Sequence, residues 1–412
     1  MERKDIKRIR ELTGLACIVY FCSYLSRINF SAILVEFLAA ENLSKTSASV
    51  ITSALFVTYG LGQILSGYLG DRISPRGLIF TGLATAAVCN GLMPVCSPRL
   101  PAMALIWGVN GAAQALIWPP LARILTNNLS GEEYGRRVPL VSTSASLATI
   151  VVYLLAPWAI RAWNWKAVLY AGAIAAGAGA LIWLLGSEKF ASPVRKTGTI
   201  TPDAGAAHTD EKHRILLWIL PGILLGIACQ GALRDGITTW MPTLVSEVFS
   251  LEGRVTILTG VALPVFQTGA TLCVHWILKK MRGAVFSCAA LLFGAVGLTL
   301  GLLAAVGMDS PETCVAGIAV ATGFVQGINV LQTCYIPVYF RNSGRVSLIS
   351  GLVNAATYGG SALSIGLFGE ISEQQGWSAV VGLWILLAVA GTFLSGICAA
   401  LSEKWNMTKS GG

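Results

Sequence analysis

Twelve apolar stretches, each long enough to cross a hydrocarbon core about 30 Å thick, dominate this sequence of 412 residues. They fall at roughly 12–40, 47–70, 77–97, 100–128, 133–160 and 164–186. After a polar interval come 215–249, 252–279, 283–306, 311–340, 344–371 and 377–402. Lipid offers no water to backbone N–H and C=O groups, so runs of this length must satisfy them internally, as helices. The composition agrees, with 54% hydrophobic and 12% charged residues, where soluble domains carry about 25% charged. A soluble enzyme, a disordered chain and a secreted disulfide scaffold are disfavoured together.

The expected fold is therefore an all-α membrane architecture of twelve transmembrane helices in two pseudo-symmetric six-helix bundles. Residues 1–186 form the first bundle, 187–214 a flexible cytoplasmic linker (SEKFASPVRKTGTITPDAGAAHTDEKHR) and 215–412 the second. The halves repeat. Arg27 in the first span has a counterpart in Arg234 in the seventh, and GVNGAAQ (Gly108–Gln114) in the fourth has one in GFVQGIN (Gly323–Asn329) in the tenth. The sixth span opens Trp165-Lys166-Ala167-Val168 and the twelfth Trp377-Ser378-Ala379-Val380. Duplicated halves joined by a basic linker are a transporter architecture, with substrate held near the bilayer midplane.

The net charge of +9 is not a nucleic-acid footprint, because the basic residues sit in short loops and form no patch. With the N-terminus inside, cytoplasmic segments hold 21 Lys and Arg against 5 in the outer ones, which puts both termini in the cytoplasm by the positive-inside rule. The basic start MERKDIKRIREL leads into a long apolar run and reads as a retained first helix, not a cleaved signal. The ten cysteines lie singly inside apolar segments, none at CxxC spacing. They read as packing residues and imply neither disulfides nor a metal. No cofactor is expected, and no HExxH, P-loop or nucleophile–His–acid set suggests an enzyme.

The chemistry should lie in the few charges that lipid disfavours. Arg27 is ~22 Å into the first helix at 1.5 Å per residue, and Arg234 is similarly deep in the seventh. An arginine near the bilayer centre costs ~2.5–3.5 kcal/mol or more, so it usually faces a cavity and serves function. Guanidinium forks match phosphate or carboxylate oxygens and stay charged at any working pH, so two of them favour a small anionic substrate. Asp235 follows Arg234 directly. Adjacent helix positions point ~100° apart, so it is expected to neutralise some other partner, to carry a proton or to contact the substrate. Tyr24, Tyr59, Gln63, Gln114, Trp118, Gln326, Asn329 and Asn354 complete the expected polar lining. Between spans two and three, Gly67-Tyr-Leu-Gly-Asp71-Arg72-Ile-Ser-Pro-Arg76-Gly77 offers a breakable, ion-paired latch. Arg136 and Arg137 in the next cytoplasmic loop join Gly67, Asp71, Arg72 and Arg76 as gating candidates.

The Gly67–Gly77 loop resembles the GxLxDRxxxR(R/G) signature of the major facilitator superfamily. Tyr20–Phe30 (YFCSYLSRINF), Gly111–Pro120 (GAAQALIWPP) and Leu233–Thr243 (LRDGITTWMPT) are similar more narrowly to the organophosphate:phosphate antiporters, the bacterial glycerol-3-phosphate and hexose-phosphate exchangers. That resemblance covers nearly the whole chain. It implies two phosphate-clamping arginines, at Arg27 and Arg234, and rocker-switch exchange of a sugar or polyol phosphate for inorganic phosphate. It also implies a bacterial inner-membrane protein, working as a monomer in the bilayer without nucleic acid.

The chain departs from the family pattern at several positions, most of which leave the cavity less positive. Gln63 stands where the family has a lysine near Tyr59, and Ser142-Thr143-Ser144-Ala145-Ser146 replaces its fifth-span histidine. Ile28 follows the first arginine and Asp235 the second, and the stretch around His275 lacks the aspartate of the repeated loop motif. A doubly charged monoester is a less natural guest than two arginines alone suggest. Two alternatives stay open: a proton-coupled carrier of a carboxylate or other organic solute, and a membrane-embedded sugar-phosphate sensor.

Overall fold

The computed structural model describes residues 3–70, 73–190, 210–306, 310–336 and 346–410, which are almost entirely helical. The first half runs α1 (Arg3–Ala32), α2 (Leu34–Glu41), α3 (Lys45–Gly70), α4 (Pro75–Cys96), α5 (Leu100–Ala115), α6 (Trp118–Asn128), α7 (Gly131–Ala162) and α8 (Lys166–Gly186). The second runs α9 (Asp210–Phe249), α10 (Gly253–Thr259), α11 (Ala262–Lys280), α12 (Val285–Val306), α13 (Pro311–Val330), α14 (Val346–Gln374) and α15 (Trp377–Ser410).

Proline decides where two of the expected spans break. Pro119 has no N–H, and its ring excludes the carbonyl four residues earlier. The chain between α5 and α6 therefore tightens, with Leu116 N–H donating to Ala113 O (3.1 Å) and Ile117 N–H to Gln114 O (3.2 Å). Pro264 acts likewise between α10 and α11, where Gly260 N–H donates to Ile257 O (3.0 Å) and Val261 N–H to Leu258 O (3.1 Å). The first expected span, continuous in the sequence reading, is interrupted at Ile33. The tenth passes from α13 into a single π turn, Leu331–Tyr335.

Among the described residues, ten segments are long and apolar enough to cross a membrane, and they fall on ten of the twelve expected spans. The two remaining expected spans, 215–249 and 344–371, lie on α9 and α14. These helices carry Arg234 and Asp235, and Asn354, Thr357, Ser361 and Ser364, respectively. Several of these polar side chains gather at the second-half site below. Outward faces are apolar instead: Ile174, Leu185 and Leu363 are 74%, 81% and 77% exposed, a pattern that suits lipid and not water. All ten cysteines are free thiols, six of them buried.

By contacts the chain divides into two compact units, Met1–Thr197 with Pro242–Pro264, and Gly198–Met241 with Val265–Gly412. In the first, Leu12, Val19, Ile79, Leu121 and Trp183 form a core shared by α1, α4, α6 and α8. The segment Pro242–Pro264 packs with this unit although it follows the linker in sequence. Lys45 pairs with Glu247 at 2.8 Å, Gly253 lies against Glu36, and Gly260 lies against the ring of Tyr153.

In the second unit α9 and α14 touch backbone to backbone. A Cβ at Gly231 would collide with the Thr357 carbonyl, and one at Gly360 with the Ala228 carbonyl. Trp240 Nε1 donates to Ile365 O at 3.0 Å, which fixes the two helices in register a turn or two beyond Arg234.

Candidate functional site

In the first unit, Arg27 projects from α1 and is only 9% exposed. Its guanidinium carbon sits 3.9 Å from the ring centroid of Tyr59 on α3 and 5.6 Å from that of Tyr24, one turn earlier on α1. An aromatic face attracts a desolvated guanidinium by up to about 2 kcal/mol and holds its plane for bidentate contact. Tyr20 links Tyr24 (rings 5.0 Å apart) to Trp118 (4.9 Å), so the arginine ends an aromatic row. Gln63, one turn beyond Tyr59, is buried.

Beside this row lies a polar network that the sequence reading did not anticipate. Gln114 accepts from Ser23 Oγ (2.5 Å) and donates to Ser26 Oγ (3.0 Å) and Ser23 O (3.2 Å). Asn29 Nδ2 donates to Asn90 Oδ1 (2.7 Å), while Asn90 and Asn110 each donate to Ser26 O (2.9 and 3.2 Å). All six side chains are buried. Gln114, expected to line the lumen, is thus engaged in tying α5 to α1. The available signal was that Asn90 and Asn110 stand in otherwise apolar runs, where a polar side chain needs a partner.

In the second unit, Arg234 and Asp235 correct the sequence reading. The carboxylate does neutralise its immediate neighbour: Arg234 Nε donates to Asp235 Oδ1 at 2.8 Å and Nη2 to Oδ2 at 2.7 Å. Adjacent positions diverge at Cβ, but the arginine is long enough to fold back and present its side edge. Ser361 Oγ from α14 donates to Asp235 Oδ2 at 2.7 Å. Arg234 Nη1 donates to Asn329 Oδ1 on α13 at 3.1 Å, and its Cζ lies 5.4 Å from the Tyr358 ring centroid. Gln326, one turn before Asn329, and Asn354, one turn before Tyr358, are half-buried. Ser361 and Tyr358 were missed; their signal was an i, i+3/i+4 polar row with Asn354 along α14. Gln230, one turn before Arg234, is fully buried, and neither of its side-chain polar atoms has a partner among the described residues.

Of the gating candidates, Asp71 and Arg72 lie outside the described residues. Gly67 is in the last turns of α3. Arg76 is drawn into its own bundle, Nη2 donating to Leu184 O (2.6 Å) while its carbonyl accepts from Trp183 Nε1 (3.0 Å). Arg137 pairs with Glu133 one turn away at 3.0 Å, and Arg136 is exposed.

A family model, the Major Facilitator Superfamily, matches residues 16–365. The chain belongs to that superfamily. Membership makes it a membrane transport protein and not an enzyme. Among its relatives is the probable hexose phosphate transport protein of Chlamydia muridarum, 30% identical over 37% of this chain and 33% of that protein. The glycerol-3-phosphate transporter of Bacillus subtilis is 27% identical over 41% and 39%. The membrane sensor protein UhpC of Salmonella typhimurium is 26% identical over 61% and 59%. The first of these matches spans about a third of the relative's length. Within the superfamily the chain therefore resembles the organophosphate:phosphate antiporters. Two solved structures share the fold across 95% of this chain. They are the nucleoside transporter NupG (TM-score 0.74, 15% identity, 99% of its chain) and the peptide transporter POT in complex with sulfate (0.73, 14%, 95%).

Proposed function

We propose that this superfamily member carries a small organic anion, a sugar or polyol phosphate, in exchange for inorganic phosphate, its two halves rocking to alternate access. The observation that carries the reading is Arg27, buried in an apolar helix yet steered by Tyr59 and Tyr24. A buried guanidinium is costly in lipid, and a phosphate offsets that cost with paired, charge-assisted hydrogen bonds. Arg234 is the matching anchor of the second half, with Tyr24, Tyr59, Gln63, Trp118, Asp235, Gln326, Asn329 and Asn354 lining the path. The Gly67–Arg76 loop, with Arg136 and Arg137, gates one face. The setting is a bacterial inner membrane with both termini cytoplasmic and a monomer as the working unit.

Proteoliposomes loaded with labelled phosphate test this. External sugar or glycerol phosphate should release the label, and Arg27→Ala or Arg234→Ala should each slow exchange by at least about a hundredfold, as for truncating one side of a buried charge pair. Normal exchange by either variant sinks the clamp. The similarity to UhpC favours one second reading, a sugar-phosphate sensor, for which saturable binding without flux is the discriminating result.

A further inference from the structure

We propose that Asp235 makes the second-half anion site a valence filter that favours singly charged phosphate esters over doubly charged ones. This rests on the organophosphate reading above and specifies the charge of its substrate. The carboxylate is a fixed part of the site. It grips the Nε–Nη2 edge of Arg234 through two hydrogen bonds of 2.8 and 2.7 Å. It is held from α14 by Ser361, itself fully buried, at 2.7 Å. The side chains of Arg234 and Asp235 are only 15% and 16% exposed.

An anion approaching Arg234 meets the opposing charge of Asp235 at nearly the same range. The first negative charge on a ligand can be accommodated by hydrogen bonds from the guanidinium. A second gains little net attraction from a neutral ion pair, yet still loses its hydration. At an effective dielectric constant of about 20, a like charge some 6 Å away opposes binding by roughly a hundredfold, and partial exposure reduces this to about tenfold. A purely structural Arg234–Asp235 pair joining α9 to α14 would affect stability but would not discriminate between ligand valences, and this separates the two roles.

The test uses the full chain in nanodiscs at pH 8, titrated with glycerol 3-phosphate and with its methyl diester. The monoester is doubly charged at that pH because its second pKa is about 6; the diester carries a single charge. The wild type should bind the diester at least as tightly as the monoester. Asp235→Asn should shift the ratio at least about tenfold toward the monoester, and Asp235→Glu should retain the wild-type ratio. A wild type that prefers the monoester overturns the proposal without any variant. So does a shift smaller than tenfold in Asp235→Asn when both esters bind, and that failure leaves the organophosphate reading intact. Binding of neither ester overturns both.

Discussion

The guanidinium of Arg27 lies over the ring of Tyr59, its central carbon 3.9 Å from the ring centroid. Two helices thus combine to fix one charge, α1 supplying the cation and α3 the face on which it rests. A stacked guanidinium keeps its fork directed, which a flexible ammonium cannot do. Arg27→Lys should therefore fail nearly as badly as Arg27→Ala in phosphate exchange. Tyr59→Leu should weaken substrate binding by about 1–2 kcal/mol, five- to thirtyfold, whereas Tyr59→Phe should lose under threefold. Titration calorimetry on the four variants checks the order, and Arg27→Lys with wild-type affinity would refute the stacking argument.

Gln114 spends its amide on Ser23 and Ser26, so its removal should be felt as stability. Gln114→Ala leaves the buried Ser23 hydroxyl without its acceptor and opens a cavity, while Ser26 keeps its bond to the Ser23 carbonyl, at a cost of roughly 1–3 kcal/mol. The expected result is a thermal midpoint several degrees lower, with ligand affinity changed less than in Tyr59→Leu. An affinity loss larger than the stability loss would return Gln114 to the substrate path.

What the sequence made legible followed from single-residue extremes. Arg27 and Arg234 stand out because a charge deep in an apolar run is costly whatever surrounds it. Helix ends near Pro119 and Pro264 follow the same logic, although the sequence reading ran through both, because hydropathy averages over the residues that break a helix. Asp235 was misjudged because helix geometry constrains Cβ directions and says nothing of how far a long side chain folds back. Ser361 and Tyr358 stayed hidden for a different reason. Their polar row with Asn354 marks one face of α14, but the contact of that face with α9 is written in neither segment alone.

That contact is set by glycine. A methyl group at Gly231 meets the Thr357 carbonyl, and one at Gly360 the Ala228 carbonyl. Both obstacles are backbone, so no side chain can turn aside and the helices must separate. Gly231→Ala and Gly360→Ala should each cost ~1–3 kcal/mol or more from overpacking. Separation should also carry Ser361 away from Asp235, so both variants should lose binding along with thermal stability. Gly366→Ala, where a Cβ meets nothing within 4 Å, is the control and should remain near wild type in both measurements.

Gln230 presents the opposite problem, a fully buried amide with no partner for either polar atom among the described residues. Leaving such groups unmet costs about 1–3 kcal/mol each, and a leucine of similar volume would avoid it. A polar side chain retained at this cost one turn from Arg234 is the kind of local inconsistency that function explains. In the alternating-access cycle proposed above, a group unsatisfied in one state can find its partner in another. Gln230→Leu should therefore raise the thermal midpoint by several degrees while lowering the exchange rate at least fivefold, the trade expected when stability and activity compete at one residue. Thermal unfolding and proteoliposome exchange on the same preparation decide it. A variant that is more stable and exchanges at the wild-type rate would make Gln230 a packing defect with no part in the cycle.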